Sequence, residues 1–227
     1  MAEQDDEEGE TKDTAPLLDL DPAEQEPVVE EPPKEETFSQ YDDVDKCAVS
    51  GLTEREKMKM VRSWKKIIGE TPQAFKQAGI SLVLWMFDNV QGMRERFSYK
   101  FNPSATESNL INDDKFLAHT TVIIMSFESF ISTINKPAEL DKRFHSIAVS
   151  HLNMKPSIGS NFFDCFEKNF HLYLTRALKV AADDEDIKIW MTFISQFCKV
   201  VRQEEAGMTK KKPSTGCCFG LLGRSRK

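Results

Sequence analysis

The stretch that decides the fold is residues 113–137, DDKFLAHTTVIIMSFESFISTINKP. Its large side chains recur at spacings of three and four, which is the period of an amphipathic α-helix. Asp113 or Asp114 stands where a helix N-cap is expected, and Pro137 is expected to end the helix. We therefore predict a long helix whose inner face carries Phe116, His119, Ile123, Phe127, Phe130 and Ile134.

Helical signals continue on both sides of this stretch. Thr53 followed by Glu56 is typical of a capping box, and Thr71 followed by Pro72 predicts a second helix with proline at its first position. Downstream we predict three further helices, near residues 138–153, 159–182 and 184–205. No hairpin dipeptide lies between alternating apolar runs, so no strands are expected. The fold class is therefore predicted to be all-α.

Charge is distributed unevenly along the 227 residues. Residues 1–46 hold 18 acidic residues against three lysines, whereas the stretch from Arg202 onward carries a net charge of +5. An acidic segment with few aromatic residues buries too little apolar area to offset the entropy of ordering. We expect a disordered acidic leader over residues 1–50, a folded domain over 51–205 and a basic tail over 206–227. No nucleic-acid partner is expected.

The ends of the chain bear on location. Met1 to Glu10 is acidic where a secretory leader would be basic and then apolar, so none is expected. The five cysteines are an odd set without metal-binding spacing, which favours a reducing, cytoplasmic location. In the tail, adjacent Cys217 and Cys218 among basic residues are similar to a site of S-palmitoylation. Attachment to the cytoplasmic face of a membrane is one interpretation, and a free tail with two reactive thiols is the other.

Two segments carry a family resemblance. Phe116-Leu-Ala-His119 resembles the distal segment of the globin family, and Ile147-Ala-Val-Ser-His151 resembles its proximal segment. Phe162, eleven residues after His151, falls where globins place an apolar residue near the start of the next helix. The resemblance spans about residues 52–202. It implies a globin fold whose helices surround a pocket for haem b, iron protoporphyrin IX. The 16 phenylalanines suit such an apolar slot.

The resemblance also implies roles for individual residues. His151 would be the proximal ligand of the haem iron, and His119 would face the opposite axial position. Ser150 is expected to accept the proton of the second ring nitrogen of His151. His145, roughly 120° around the helix from His151, should point away from the haem. The full set of expected haem contacts is Val83, Phe97, Phe101, His119, Ile123, Ile147, Ser150, His151 and Phe162. Core packing rather than haem contact is expected of Phe127, Phe130 and Trp190.

Several functions stay open at this point. The leading one is a haem globin that binds O2, NO or CO, or that carries electrons or senses oxygen with an outside electron donor. His119 would either donate a hydrogen bond to a bound gas or bind the iron directly, and resemblance to intracellular globins of nerve and invertebrate type favours direct binding. The alternatives are a haem-free interaction module and an enzyme such as a nitric oxide dioxygenase or nitrite reductase. No reductase domain or flavin fingerprint accompanies the folded segment, so turnover would need external electrons.

Overall fold

The computed structural model describes residues 45–97, 102 and 104–211, and the regular elements in these ranges are all helices. In chain order they are α1 (Glu54–Ile68), α2 (Pro72–Asn89), α3 (Met93–Arg96), α4 (Glu107–Leu110), α5 (Asp114–Ser132), α6 (Pro137–Leu152), α7 (Ser160–Leu178) and α8 (Glu185–Lys211). The predicted all-α class is therefore confirmed. None of these eight described helices has the length and apolar composition needed to span a membrane.

The predicted helix starts are capped as expected. Thr53 accepts a hydrogen bond from the Glu56 amide, and the Glu56 carboxylate accepts one from the Thr53 amide at 2.8 Å. Thr71 caps α2 ahead of Pro72, and Asp113 caps α5 by accepting from the Phe116 amide at 2.9 Å. Each cap satisfies amide groups that have no partner within the helix, so these boundaries follow from local sequence.

Pro137 has a different position from the one predicted. It opens α6 instead of ending α5, because α5 already ends at Ser132. At the first helical position the missing N–H of proline costs nothing, and its fixed φ angle suits the helix. The predicted helix over residues 138–153 is thus observed as Pro137–Leu152.

The last two helices differ from prediction at their C-terminal ends. The α7 helix stops at Leu178, because Lys179 takes a left-handed conformation and its amide bonds back to the Thr175 carbonyl. The α8 helix continues to Lys211, beyond the predicted limit of residue 205. Its extension, AGMTKK over residues 206–211, consists mostly of good helix formers and precedes Pro213.

The core is rich in aromatic side chains. Trp190 is fully buried, and its indole Nε1 donates a hydrogen bond to Ser63 Oγ at 2.8 Å. Phe144 packs edge-on against Phe130 and Phe193, with ring centroids 5.0 and 5.4 Å away. Such contacts join α1, α5, α6 and α8 into one hydrophobic core. Trp190 is therefore a packing residue, as predicted.

A glycine sets how closely α2 approaches α5. A Cβ atom at Gly79 would lie 2.9 Å from the Thr120 carbonyl oxygen and 3.2 Å from the Ile124 side chain. Only a residue without a side chain fits at this crossing. The close approach fixes α5, which carries His119, against α2.

Candidate functional site

An apolar cavity of about 340 Å³ lies among the helices. Its walls come from α2, α3, α5, α6, α7 and α8 and from the segment after α6. Most of the lining is aromatic or aliphatic, and its phenylalanines are Phe97, Phe127, Phe130, Phe162, Phe163, Phe166 and Phe197. A pocket of this size, with few polar groups among apolar walls, suits a largely apolar ligand.

His151 lies in the last turn of α6 and lines the cavity. Its Nδ1 atom lies 2.8 Å from the carbonyl oxygen of Ile147, and the ring packs edge-on to Phe163 at a centroid distance of 5.3 Å. Burial lowers the pKa of the His151 imidazole below its ordinary value, although the hydrogen bond to Ile147 opposes this shift. The ring is therefore held neutral, in one orientation, at the cavity wall.

Ser150 does not have the predicted role as acceptor. Its hydroxyl donates to the Ser146 carbonyl oxygen at 2.8 Å, and the acceptor for His151 is the backbone of Ile147. Both side chains bond to carbonyl groups one turn earlier on their own helix, which is a common alternative to side-chain partners. Ser150 does line the cavity, so only its proposed hydrogen bond is corrected.

His119 enters the same cavity from a different helix, α5. The Phe97 ring packs edge-on against it, with centroids 4.6 Å apart and planes inclined by 63°. The His119 imidazole is half-buried, whereas Phe97 is buried. Two imidazoles carried by α5 and α6 thus line one apolar chamber.

The remaining predicted contacts divide into three groups. Phe97, Ile123, Ile147 and Phe162 lie in the cavity lining. Val83 does not: it is fully buried in the core, and Met86, almost one turn later on α2, reaches the cavity with its longer side chain. Phe101 lies outside the described residues, as do Cys217 and Cys218 of the tail.

Some lining residues were not predicted from the sequence. Phe127 and Phe130 pack with the hydrophobic core, as expected, and they also line the cavity, which the sequence did not predict. Phe127 lies one turn after Ile123 on α5, and that spacing would have found it. Arg96 and three methionines, Met86, Met93 and Met154, also line the cavity without a sequence signal that singles them out.

The other two histidines lie away from the cavity lining. His145 Nδ1 is 2.8 Å from Glu204 Oε1, a contact that joins α6 to α8. His171 Nδ1 is 3.1 Å from the Lys168 carbonyl oxygen on its own helix. His145 therefore lies outside the cavity lining, as its angular position on α6 predicts.

Comparison with known proteins gives three findings. A family model described as Globin matches residues 83–201. A protein called Globin from Biomphalaria glabrata is 34% identical over 152 residues, covering 67% of this chain and 98% of that relative. A crystal structure of a hexacoordinated haem protein from an anhydrobiotic tardigrade superposes with a TM-score of 0.57 at 23% identity, covering 68% of this chain and 95% of that one. The structural likeness concerns the fold.

Proposed function

This chain belongs to the globin family, and we propose that it binds one haem b in the apolar cavity between His119 and His151. The observation that carries the proposal is the pair of imidazoles, one from α5 and one from α6, in a chamber whose other walls are almost entirely apolar. Haem is a flat and mostly apolar ligand, so the residues present suit it.

His151 is proposed as the proximal ligand of the iron. The carbonyl oxygen of Ile147 can only accept a hydrogen bond, so Nδ1 of His151 carries the proton. The other ring nitrogen, Nε2, then keeps its lone pair. Because burial lowers the pKa of this imidazole, the lone pair is available at neutral pH. A neutral imidazole held by a backbone hydrogen bond is the form in which histidine binds a metal.

His119 is proposed as a second residue that would bind the iron directly when no gas is present. The edge-on contact with Phe97 holds the His119 ring at the wall of the cavity. The tardigrade protein is described as hexacoordinated. For this chain the proposal depends on the position of His119, and the alternative role is donation of a hydrogen bond to a bound gas.

The apolar walls are proposed to keep water out and to limit what can enter. Ile123 lies one turn after His119 on α5, and Ile147 lies one turn before His151 on α6. Both aliphatic side chains therefore border the space next to an imidazole.

When bound, haem iron supplies reversible binding of O2, NO or CO and one-electron redox chemistry. We propose gas binding, or electron transfer and sensing with an external electron donor, as the role of this chain.

Absorption spectroscopy of purified full-length protein tests this proposal. Haem is added to the haem-free protein, excess haem is removed, and the spectrum of the reduced, unliganded protein is recorded. A Soret band that stays with the protein, with the visible bands of a six-coordinate iron, is the expected result. Protein that retains no Soret band would overturn the proposal and favour a haem-free interaction module.

The tail adds a proposal about location. Cys217 and Cys218 follow Lys210–Lys212 and precede Phe219, a combination of thiols, basic residues and apolar residues. We propose that one or both thiols are palmitoylated, so that the cytoplasmic protein attaches to the inner leaflet. Two acyl chains, or one chain with basic residues worth about 1 kcal/mol each near anionic lipid, hold a protein stably at a membrane.

A further inference from the structure

The described lining of the cavity contains a single charged residue, Arg96, at the end of α3. Its guanidinium carbon lies over the Phe162 ring, 4.8 Å from the ring centroid. The Arg96 side chain is half-buried. Within the described part of the chain, no carboxylate forms an ion pair with it. A cation therefore stands at the edge of an apolar chamber without a protein counter-charge among these residues.

The contact with Phe162 leaves Arg96 able to bind an anion. An aromatic ring attracts a guanidinium that lies over its face. The N–H donors of the guanidinium lie in its own plane, so this contact does not occupy them. Those donors match the two oxygens of a carboxylate in a bidentate pair. Because the side chain is half-buried, a carboxylate beside it would keep part of its hydration while it gains the pair.

The distribution of charge around the cavity indicates how an acidic ligand would be oriented in it. The lining that α5 and α8 contribute, which includes Phe130, Ile194 and Phe197, carries no charged side chain. Val122 of α5 lines the cavity and is 60% exposed, yet it too is uncharged. A ligand with an apolar body and acidic groups on one edge would therefore place that edge beside Arg96.

We propose that Arg96 is a positioning residue that binds the carboxylate groups of the porphyrin and so sets how haem lies in the cavity. The inference rests on the proposed haem binding. Iron protoporphyrin IX carries its two carboxylates on one edge of an apolar macrocycle, which is the distribution of charge that the cavity favours. Arg96 holds this edge near α3 and Phe162, and the apolar remainder occupies the phenylalanine-lined interior.

The experiment compares haem with its dimethyl ester, in which both carboxylates are neutral. Each porphyrin is loaded into the wild type and into Arg96→Met, which keeps an apolar stem for Phe162 but lacks the charge. Release into an excess of a haem-scavenging apoglobin is then followed by absorbance. We expect the variant to release haem roughly 2- to 5-fold faster, which corresponds to the loss of a partly exposed charged pair. Release of the ester should be unchanged.

Two further variants serve as controls. Arg94→Met removes the same charge from the same short helix, but Arg94 lies over Phe87 and donates to the Ala105 carbonyl outside the cavity lining. It should release both porphyrins as the wild type does. Arg96→Lys keeps the charge without the planar fork and should recover part of the retention of haem.

The outcomes separate the two proposals. If Arg96→Met releases haem and its ester with equally increased rates, or changes neither rate, Arg96 does not bind the carboxylates. If the wild type retains neither porphyrin, the haem proposal itself fails and this inference fails with it. Should Arg96→Met not fold, the wild type alone decides: haem release should accelerate between about 0.01 and 1 M salt, and ester release should not. Haem release that is insensitive to salt would overturn the inference.

Discussion

The Nδ1 atom of His151 and the carbonyl oxygen of Ile147 are 2.8 Å apart, on successive turns of α6. The contact is made within one helix, so it forms as soon as α6 forms. It sets the tautomer of His151 without help from another element. The cavity therefore presents a ligand-ready imidazole before any ligand arrives, and this lowers the cost of ordering the site.

Replacing His151 by alanine should abolish stable haem binding. The substitution removes the only imidazole on α6 that lines the cavity, since His145 is engaged with Glu204. Loss of a group that only supports a metal ligand lowers affinity by up to about 100-fold. We therefore expect loss of the ligand itself to lower the affinity for haem by more than that. The measurement is the Soret absorbance retained after gel filtration. His171→Ala, outside the cavity lining, is the matched control, and equal retention by both variants would contradict the assignment.

Replacing His119 by leucine should convert a six-coordinate ferrous spectrum into a five-coordinate one. Leucine preserves the apolar contact with Phe97 but cannot bind iron. Haem should remain bound, because His151 is intact. Thr121→Ala, on an exposed part of α5, should leave the spectrum unaltered. An unchanged ferrous spectrum in His119→Leu would show that direct coordination is wrong and leave hydrogen bonding to a bound gas.

The stability of the haem-free protein should depend on pH through His151. Burial lowers the pKa of this imidazole below its ordinary value of 6.5, so the unfolded chain takes up the proton at higher pH than the folded one. Stability is therefore fully present above about pH 6.5 and decreases as the pH falls towards the folded-state pKa, by at most about 1.4 kcal/mol per pH unit.

Urea unfolding between about pH 5.5 and 7.5 measures this dependence. His151→Gln should have a shallower slope than the wild type, because the titrating group is gone. His171→Gln is the control, because it removes a histidine that lies outside the described cavity lining. Identical slopes in all three proteins would show that His151 is not the cause of the pH dependence of stability.

Gly79→Ala should destabilise the fold and disturb the site. Its new Cβ would meet the Thr120 carbonyl oxygen at 2.9 Å, so α2 and α5 would have to separate. A loss of about 1–3 kcal/mol is expected from this overpacking. Gly207→Ala is the control: nothing lies within 4 Å of its Cβ, and alanine in a helix should stabilise by about 0.5–1 kcal/mol. Chemical denaturation measures both, and equal effects would contradict the crowding argument.

Replacing both tail cysteines by serine should release the protein from membranes. Without thiols no acyl chain can attach, and the basic residues alone give weaker, salt-sensitive binding. Fractionation of cells that express Cys217→Ser/Cys218→Ser measures the change. Cys47→Ser, at the opposite end of the described chain, is the control and should distribute as the wild type does. Identical fractionation of the double variant and the wild type would dismiss the lipid anchor.

Local sequence predicted the parts of the fold that depend on local chemistry. The caps at Thr53, Thr71 and Asp113 were correct, because each cap is a hydrogen bond between residues three apart. Pro137 was assigned to the wrong end of a helix, since proline is compatible with a stop and with a first turn. The end of α5 at Ser132 had no comparable signal.

Within the site, the sequence predicted residues carried by one helical face but not those set by how helices cross. His119 and Ile123 follow the period of α5, and both line the cavity. Val83 and Met86 cannot be ranked by period alone, because the crossing of α2 and α5 decides which of them reaches the interior. The hydrogen bond expected between Ser150 and His151 was wrong, because His151 Nδ1 bonds to the Ile147 carbonyl and the Ser150 hydroxyl bonds to the Ser146 carbonyl.

The length of α8 limits where the tail can act. The helix ends at Lys211, and Cys217 follows six residues later. A polypeptide spans at most about 3.6 Å per residue, so the Cα atoms of Lys211 and Cys217 can be at most about 22 Å apart. A lipid or another protein that attaches to this sulfur would therefore be held within about one domain diameter of the end of α8.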